Sequence, residues 1–303
     1  MNTANSFQTT HAGLWRFVQF PLTRIVIATA SLVMVIVLLQ GLDALMQLQT
    51  VSLPAVLAAV LLTIAALMAT YVAYVRLIEC RPVIELATKR AVREFATGFV
   101  VGGFLFCVVM LILWLAGVAT IAGDAGWTAT ILALLSALEL AVVQAIFFWG
   151  IVFRIVEKSL GTWIALALSI IVFGAAHAGG AGASVISEVT IGLAGGALLA
   201  AAYVYTRRLW MTVGIIAALD FTEAGVFGVS TAGHKESGLF VSRFHGPDIL
   251  TGGAAGPEVS IVTLLLCVTL AAVFFLLAHR KGHIVAPFWH RAPAEASALI
   301  GAR

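Results

Sequence analysis

Long uninterrupted runs of apolar residues constrain the fold of this chain more than any other feature. Each run is about 20 residues long, which is the length at which an α-helix crosses the hydrocarbon core of a bilayer. Of the 303 residues, 62% are hydrophobic and only 10% are charged, whereas soluble domains carry about a quarter charged residues. The runs do not alternate between apolar and polar residues, so they indicate helices and not membrane strands. We therefore predict an all-α fold, a polytopic bundle of transmembrane helices in contact with the lipid bilayer.

Eight such runs are bounded by charged residues, glycine or proline. They predict helices at about residues 25–46, 53–75, 98–120, 128–153, 162–178, 186–205, 209–228 and 259–279. With both termini in the cytoplasm, this arrangement puts fifteen of the seventeen lysines and arginines on the cytoplasmic side, and only Lys235 and Arg243 outside. Cytoplasmic loops carry an excess of positive charge. We therefore predict a multi-pass protein of the plasma or inner membrane with cytoplasmic N- and C-termini.

The connecting segments divide the chain into four parts. Residues 1–24 form a cytoplasmic or interfacial N-terminal segment, and residues 280–303 form a basic cytoplasmic tail. Residues 25–126 hold the first three membrane helices, and residues 127–279 hold the remaining membrane domain. Within the first part, charged and apolar residues alternate over 77–97, a pattern typical of an amphipathic helix on the cytoplasmic surface. Such a helix either binds anionic lipid headgroups or is a solvated connection, and the sequence leaves both readings open.

The longest connection, residues 229–258, is rich in glycine and proline. Loops of this length are usually functional or disordered. This loop either caps a cavity, binds a partner or serves as a plain connection. A run of small residues at 192–197 is instead predicted to be a helix-packing face, because small residues let membrane helices approach closely.

Polar side chains inside the apolar runs are few. They are Glu139, Gln144, His177, Glu188, Thr190, Asp220, Thr222 and Glu223. Ionisable groups at membrane depth are costly and usually face the bundle interior or a wet cavity. Ile216, Asp220 and Glu223 share one stripe of the seventh helix, whereas Glu139 and Gln144 point about 140° apart on a straight α-helix. Glu223 and Glu188 lie near helix ends, where headgroups and water would wet them.

From the fourth helix onward, short segments resemble the CAAX-protease-like and bacteriocin-processing (CPBP) family of intramembrane endopeptidases, which includes the type II CAAX prenyl endopeptidases. The resemblance covers roughly residues 135–260. It rests on ordered segments at 148–157, 160–163, 173–177, 182–184, 194–199, 206–210, 221–222, 227–228 and 250–258. It implies a membrane helical bundle and an endopeptidase ancestry.

The residues at the positions of the family's catalytic motifs are largely replaced. The resemblance places the glutamate pair on Gln144 and Ala145, the motif arginine on Trp149, and the final His-x-x-x-Asn motif on Ile216 and Asp220. The Phe-x-x-x-His motif is intact and ends at His177. A rival register puts Arg154 on the motif arginine, but it also lacks the carboxylate pair.

The resemblance implies that the missing glutamate would activate water for attack on a peptide bond. A glutamine hydrogen-bonds but is not a useful base, and alanine and isoleucine offer no polar group. We therefore expect a non-catalytic homologue that binds a membrane protein or a prenylated or otherwise lipidated peptide. Two alternatives stay open: an active endopeptidase centred on His177 with Asp220, Glu139 or Glu188, and a transporter-like protein with a proton or ion path through buried carboxylates.

No cofactor is expected from the sequence. A catalytic zinc usually has three protein ligands, whereas the motif positions supply only His177 and Asp220. A bound zinc ion therefore stays an alternative to a site without a cofactor, although the motif positions do not supply the usual three ligands. Nothing in the sequence indicates a nucleic-acid partner.

Overall fold

The structure, a computed structural model, describes residues 15–46, 52–123, 126–179, 183–229 and 238–290. Parts of three predicted segments therefore lie outside the described residues. These are the first fourteen residues of the N-terminal segment, residues 230–237 of the long loop, and the tail beyond residue 290.

Eight long helices make up most of the described chain, which confirms the predicted all-α membrane bundle. Their bounds are α1 Pro21–Met46, α2 Leu53–Leu77, α3 Ala91–Leu115, α4 Trp127–Leu160, α5 Thr162–Ala176, α6 Val185–Thr206, α7 Trp210–Asp220 with its continuation Phe221–Val226, and α8 Ile261–Arg280. Within the described ranges, six of them are long and apolar enough to cross a membrane, and α5 and α7 are shorter. Each predicted segment coincides with one of these helices.

Three of the helices contain π-helical turns. The central part of α4 is π-helical over Ala145–Phe153, α6 over Gly192–Gly196, and the end of α7 over Phe221–Val226. π-helical turns are rare and are frequently found at functional sites. They widen the helix, so side chains beyond each one no longer follow the 100° step of an α-helix.

Short elements fill the connections between the helices. Strands β1 (Ala119–Ala122) and β2 (Val241–Phe244) pair antiparallel, with Ala119 opposite Phe244. A helical turn at Asp248–Thr251 and 3₁₀ turns at Gly253–Ala255 and Pro257–Val259 lead into α8, and a further 3₁₀ turn lies at Phe288–His290.

The predicted amphipathic helix over 77–97 is wrong. Helix α2 ends at Leu77, residues 78–90 are irregular, and α3 begins at Ala91. Glu79 and Glu85 are buried, not exposed on a polar face. Their carboxylates pair with Arg81 and with Arg154 of α4, and these tertiary ion pairs outweigh the local helical pattern.

Glycines allow two pairs of helices to pack with their backbones in contact. A Cβ on Gly98 of α3 would collide with the main-chain oxygen of Met211, and one on Gly214 of α7 would collide with that of Phe95. In the same way, a Cβ on Gly192 of α6 would collide with the main-chain oxygen of Ile170 in α5. The last contact confirms the predicted packing face at 192–197.

Ion pairs join the connections at one end of the bundle, which we call the basic end. Arg154 pairs with Glu79, Arg207 with Glu157, and Arg208 with Glu94. These contacts bring the ends of α2, α4 and α6 and the start of α3 together. The β1–β2 pair joins two connections at the opposite end.

Candidate functional site

A cavity of about 90 Å³ lies among α3 to α8. Its polar and ionisable lining consists of Gln144, His177, Asp220, Glu223, Glu258 and Thr263. Its apolar walls include Phe106, Phe173, Leu199, Ile216 and Leu219. A concave, mostly apolar space with a few converging polar groups is typical of a ligand site. We call it the His177 cavity.

The helices that surround the cavity place it away from the basic end. α5 and α7 start at the basic end, and His177 and Asp220 lie where these helices finish. α8 runs back toward the basic end, and Glu258 lies just before it starts. Glu258 is fixed there because Ser260 caps α8, accepting hydrogen bonds from Val262 N and Thr263 N at 3.0 and 3.3 Å.

His177 ends α5 and presents its imidazole to the cavity. Its Nδ1 lies 2.8 Å from the carbonyl oxygen of Phe173, and the two rings are 4.7 Å apart. Because a carbonyl oxygen only accepts hydrogen bonds, Nδ1 is the donor, and the neutral ring keeps Nε2 as an acceptor. Within the described residues, no carboxylate oxygen lies within hydrogen-bond or ion-pair distance of the imidazole.

The positions that correspond to the expected catalytic motifs separate into two groups. Gln144, His177, Ile216 and Asp220 line the cavity, whereas Ala145 and Trp149 do not. Both are fully buried. The Trp149 ring lies 5.6 Å from that of Phe173, and its Nε1 has no hydrogen-bond partner in the described structure. Trp149 therefore packs behind the cavity wall.

The two auxiliary candidates lie outside the cavity lining. Glu139 and Glu188 are half-buried, on α4 and at the start of α6. Glu139 has an interaction partner. The side of α7 that was predicted to carry Ile216, Asp220 and Glu223 does face the cavity as one stripe.

Three carboxylates, Asp220, Glu223 and Glu258, form an acidic wall of the cavity. Glu223 is only 6% exposed, so the expectation that headgroups or water wet it is wrong. Asp220 Oδ2 and Glu223 Oε1 are buried without a hydrogen-bond partner among the described residues. Burial raises the pKa of Glu258, which lies in the connection before α8, to about 7.

Glu258 was missed as a site residue because it lies in a loop and in no apolar run. The available signal was the succession Gly256-Pro257-Glu258 followed by the capping residue Ser260, which fixes a polar group at the entrance of a membrane helix. Glu258 is the last residue of the long loop and lines the cavity wall, while the choice among a cap, a partner site and a plain connection for the rest of the loop stays open.

The donor set of the cavity does not fit a catalytic zinc ion. In the part of the chain that the structure describes, no three His, Cys, Asp or Glu side chains are close enough together to hold a metal. Cys267 also lines the cavity, but it does not complete such a group with His177 and Asp220. No lysine or arginine in the described ranges of the chain lines the cavity.

A second set of buried charges, the Arg154 network, lies at the basic end. Glu79 Oε1 accepts a hydrogen bond from Arg154 Nη2 at 2.7 Å and Glu79 Oε2 accepts one from Arg81 Nε at 2.6 Å. Arg81 Nη2 and Glu85 Oε1 pair at 2.9 Å. Burial by itself would raise the pKa of Glu79, but the Arg154 and Arg81 guanidiniums outweigh it and lower this pKa to about 2.

The widened turns of α4 contribute to this network. The carbonyl oxygen of Gly150 accepts hydrogen bonds from Tyr71 Oη at 3.0 Å and from Arg154 Nε at 2.7 Å. Arg154, the alternative position of the motif arginine, therefore binds the backbone and two carboxylates away from the cavity.

Comparison with protein-family models gives one match, over residues 126–222, to the family described as Rce1-like, type II CAAX prenyl endopeptidase Rce1-like. Comparisons with curated proteins and with solved structures find no match. The matched range contains every expected motif position. It ends before Glu223 and Glu258, so part of the acidic wall lies beyond it.

Proposed function

We propose that this chain, a CAAX-protease-like membrane protein whose residues 126–222 form the Rce1-like domain, binds a membrane partner at the His177 cavity without cleaving it. The partner is a membrane protein or a lipidated peptide. The observation that carries the proposal is the surroundings of His177. A glutamine and an isoleucine line the cavity with it, and among the described residues its imidazole has one hydrogen-bond partner, a main-chain oxygen.

The chemistry of the cavity supports binding over hydrolysis. A general base must lie within hydrogen-bond reach of the proton that it takes, directly or through one water. Gln144 has no useful basicity. Among the residues that the structure describes, no carboxylate contacts His177 to orient it and stabilise its charged form. The apolar walls remain, so the cavity retains the means to receive a side chain or a lipid while lacking the means to activate water.

A second candidate function has one observation in its favour. Asp220 lines the same cavity as His177, so an endopeptidase with a rearranged site would use these two residues with a bridging water. Loss of activity on His177→Ala distinguishes this function from binding alone.

The test uses the purified full-length chain in lipid nanodiscs with a fluorescent farnesylated peptide and a fluorescent transmembrane peptide. We expect neither peptide to be cleaved by the wild type or by His177→Ala. We expect at least one peptide to bind, with affinity reduced at least tenfold in Ala194→Phe, which adds bulk at the cavity wall. The control is Val100→Phe, an exposed position of α3 outside the lining. Cleavage that disappears in His177→Ala would falsify the proposal.

A restored variant sharpens the same assay. Gln144→Glu together with Ile216→His returns a carboxylate and a second imidazole at two positions that line the cavity. Cleavage by this variant, with none by the wild type, would show that the scaffold is intact and only the chemical groups are missing.

We also propose that the basic end faces the cytoplasm. This end carries Arg154 on α4 and, in the connections, Arg81, Arg207 and Arg208, whereas Arg243 lies on β2 at the opposite end. Cytoplasmic loops are enriched in such residues. Cysteine accessibility at Cys80, which is exposed at the basic end, tests this orientation in intact cells and inverted vesicles.

A further inference from the structure

The acidic wall of the His177 cavity lacks any counter-charge in the described structure. Asp220, Glu223 and Glu258 line the same space, and no lysine or arginine of the described residues lines it with them. A charged carboxylate at membrane depth is expensive unless it is paired. The Arg154 network shows how this chain pairs its other buried carboxylates.

The Glu223 side chain of the acidic wall is buried and, in the part of the chain that the structure describes, without a partner for one of its oxygens. Glu223 lines the cavity and is only 6% exposed. Its Oε1 has no hydrogen-bond partner among the described residues. Asp220 Oδ2 is also buried and has no hydrogen-bond partner among the described residues. Buried polar atoms are nearly always satisfied in native proteins, so two unsatisfied acceptors facing one space indicate a missing donor.

A positively charged organic group is the donor that fits this space, because it would satisfy the two oxygens and also offset the negative charge of the wall. An anionic group would be repelled by three carboxylates, and a neutral hydroxyl would not offset their charge. The described side chains contain no cluster that ligates a metal ion. Beside the carboxylates, the rings of Phe106 and Phe173 and the aliphatic walls suit an apolar stem, and aromatic faces attract organic cations.

We propose that the His177 cavity is a binding site for the cationic end of an apolar chain, an alkylammonium or alkylguanidinium group held by Asp220, Glu223 and Glu258. A space of about 90 Å³ is several times what one water molecule needs, roughly 10–15 Å³, and suits a single head group at the end of a longer ligand. This inference rests on the proposed function in one respect, namely that the partner enters the same cavity.

The test measures binding of n-hexylguanidinium and n-hexylammonium to the full-length chain in nanodiscs at pH 8, by calorimetry and by the shift in melting temperature. We expect saturable binding of both cations. We expect affinity to fall at least tenfold in Glu223→Gln and in Asp220→Asn and to stay within twofold of wild type in the control Glu188→Gln, a carboxylate outside the cavity lining. Hexanol and hexanoate, matched in chain length, should not bind saturably.

Three outcomes overturn the proposal. Equal binding of hexanol would mean that the apolar walls alone select the ligand. Equal binding by wild type and Glu223→Gln would remove the acidic wall from recognition. A melting-temperature shift reproduced by sodium chloride at matched ionic strength would assign the cavity to an inorganic cation.

Two further arms distinguish the source of the cation and separate this inference from the proposed function. Competition by a transmembrane peptide with a central lysine, and not by its methionine variant, identifies a protein side chain. Competition by phosphatidylethanolamine, and not by phosphatidylcholine, identifies a lipid amine. If the alkyl cations fail to bind while Ala194→Phe still blocks the farnesylated or transmembrane peptide, the cation site is wrong and the proposed function stands.

Discussion

The Arg154 network and the acidic wall of the His177 cavity lie at opposite ends of the bundle, and they differ in whether their buried carboxylates are paired with a cation. In the Arg154 network, each carboxylate has a guanidinium partner at 2.6 to 2.9 Å. In the His177 cavity, Asp220 and Glu223 each keep an oxygen with no partner in the described structure.

The Arg154 network has a structural role, whereas the acidic wall belongs to the ligand site that we propose. A paired, desolvated cluster fixes the connection between α2 and α3 against α4. A carboxylate cluster without an ion-pair partner in the described structure costs stability. Local rules of stability are often broken at functional sites, which agrees with the ligand site that we propose for this cavity.

The largest expected effect is at the Arg154 network. Arg154→Met should lower the free energy of unfolding by about 3–5 kcal/mol, because it leaves two buried carboxylates, Glu79 and Glu85, with only the Arg81 guanidinium between them. The measurement is unfolding in mixed micelles. Arg93→Met, at an exposed position of α3, is the control and should change stability by less than about 0.5 kcal/mol. Equal effects of the two variants would remove the distinction between paired and exposed charges.

The next effect is a pH dependence of the same network. The pKa of Glu79 is lowered from its ordinary value of 4.5 to about 2 in the folded chain. Its contribution of roughly 3 kcal/mol is therefore complete above pH 4.5 and is lost as the pH falls from 4.5 through 2. Melting temperatures recorded across this range test the effect, and the loss should be smaller in Glu79→Gln. A wild-type profile that is flat below pH 4.5 would contradict the prediction.

The smallest effect has the opposite sign and belongs to the cavity. Without ligand at pH 8, Glu223→Gln should be neutral or stabilising by up to about 1 kcal/mol, since it removes an unpaired buried charge at nearly constant volume. That corresponds to a rise in melting temperature of at most about 3 °C. The matched change in the network, Glu85→Gln, should instead destabilise. If both glutamine variants destabilise equally, Glu223 has a structural partner and the comparison fails.

The helical fold could be predicted from the sequence because the length of an apolar run is a local property of the chain. All eight apolar runs became helices, and the stripe of Ile216, Asp220 and Glu223 lines one cavity as its spacing predicts. The amphipathic helix over 77–97 failed because the partner that fixes Glu79 is Arg154, 75 residues away. Local periodicity carries no information about such a contact.

The site was only partly predictable for a similar reason. His177 and Asp220 were found from the motif spacing, but Glu258 reaches the cavity through the fold of a loop. Gln144 lines the cavity and Ala145 does not, because successive residues of a helix point in different directions. The sequence does not show which of the two neighbouring directions faces the cavity.

The π-helical turns of α4, α6 and α7 bear on how this protein is compared with its relatives. A π-helical turn is equivalent to one extra residue inserted in a helix. The residues before and after the turn stay on their own sides of the helix, but their separation in sequence is one residue longer than in an unbroken α-helix. Ala145 immediately follows Gln144, Phe221 immediately follows Asp220, and each marks the first residue of such a turn. A relative whose helix lacks such a turn would therefore align with this chain only through a one-residue gap inside the helix.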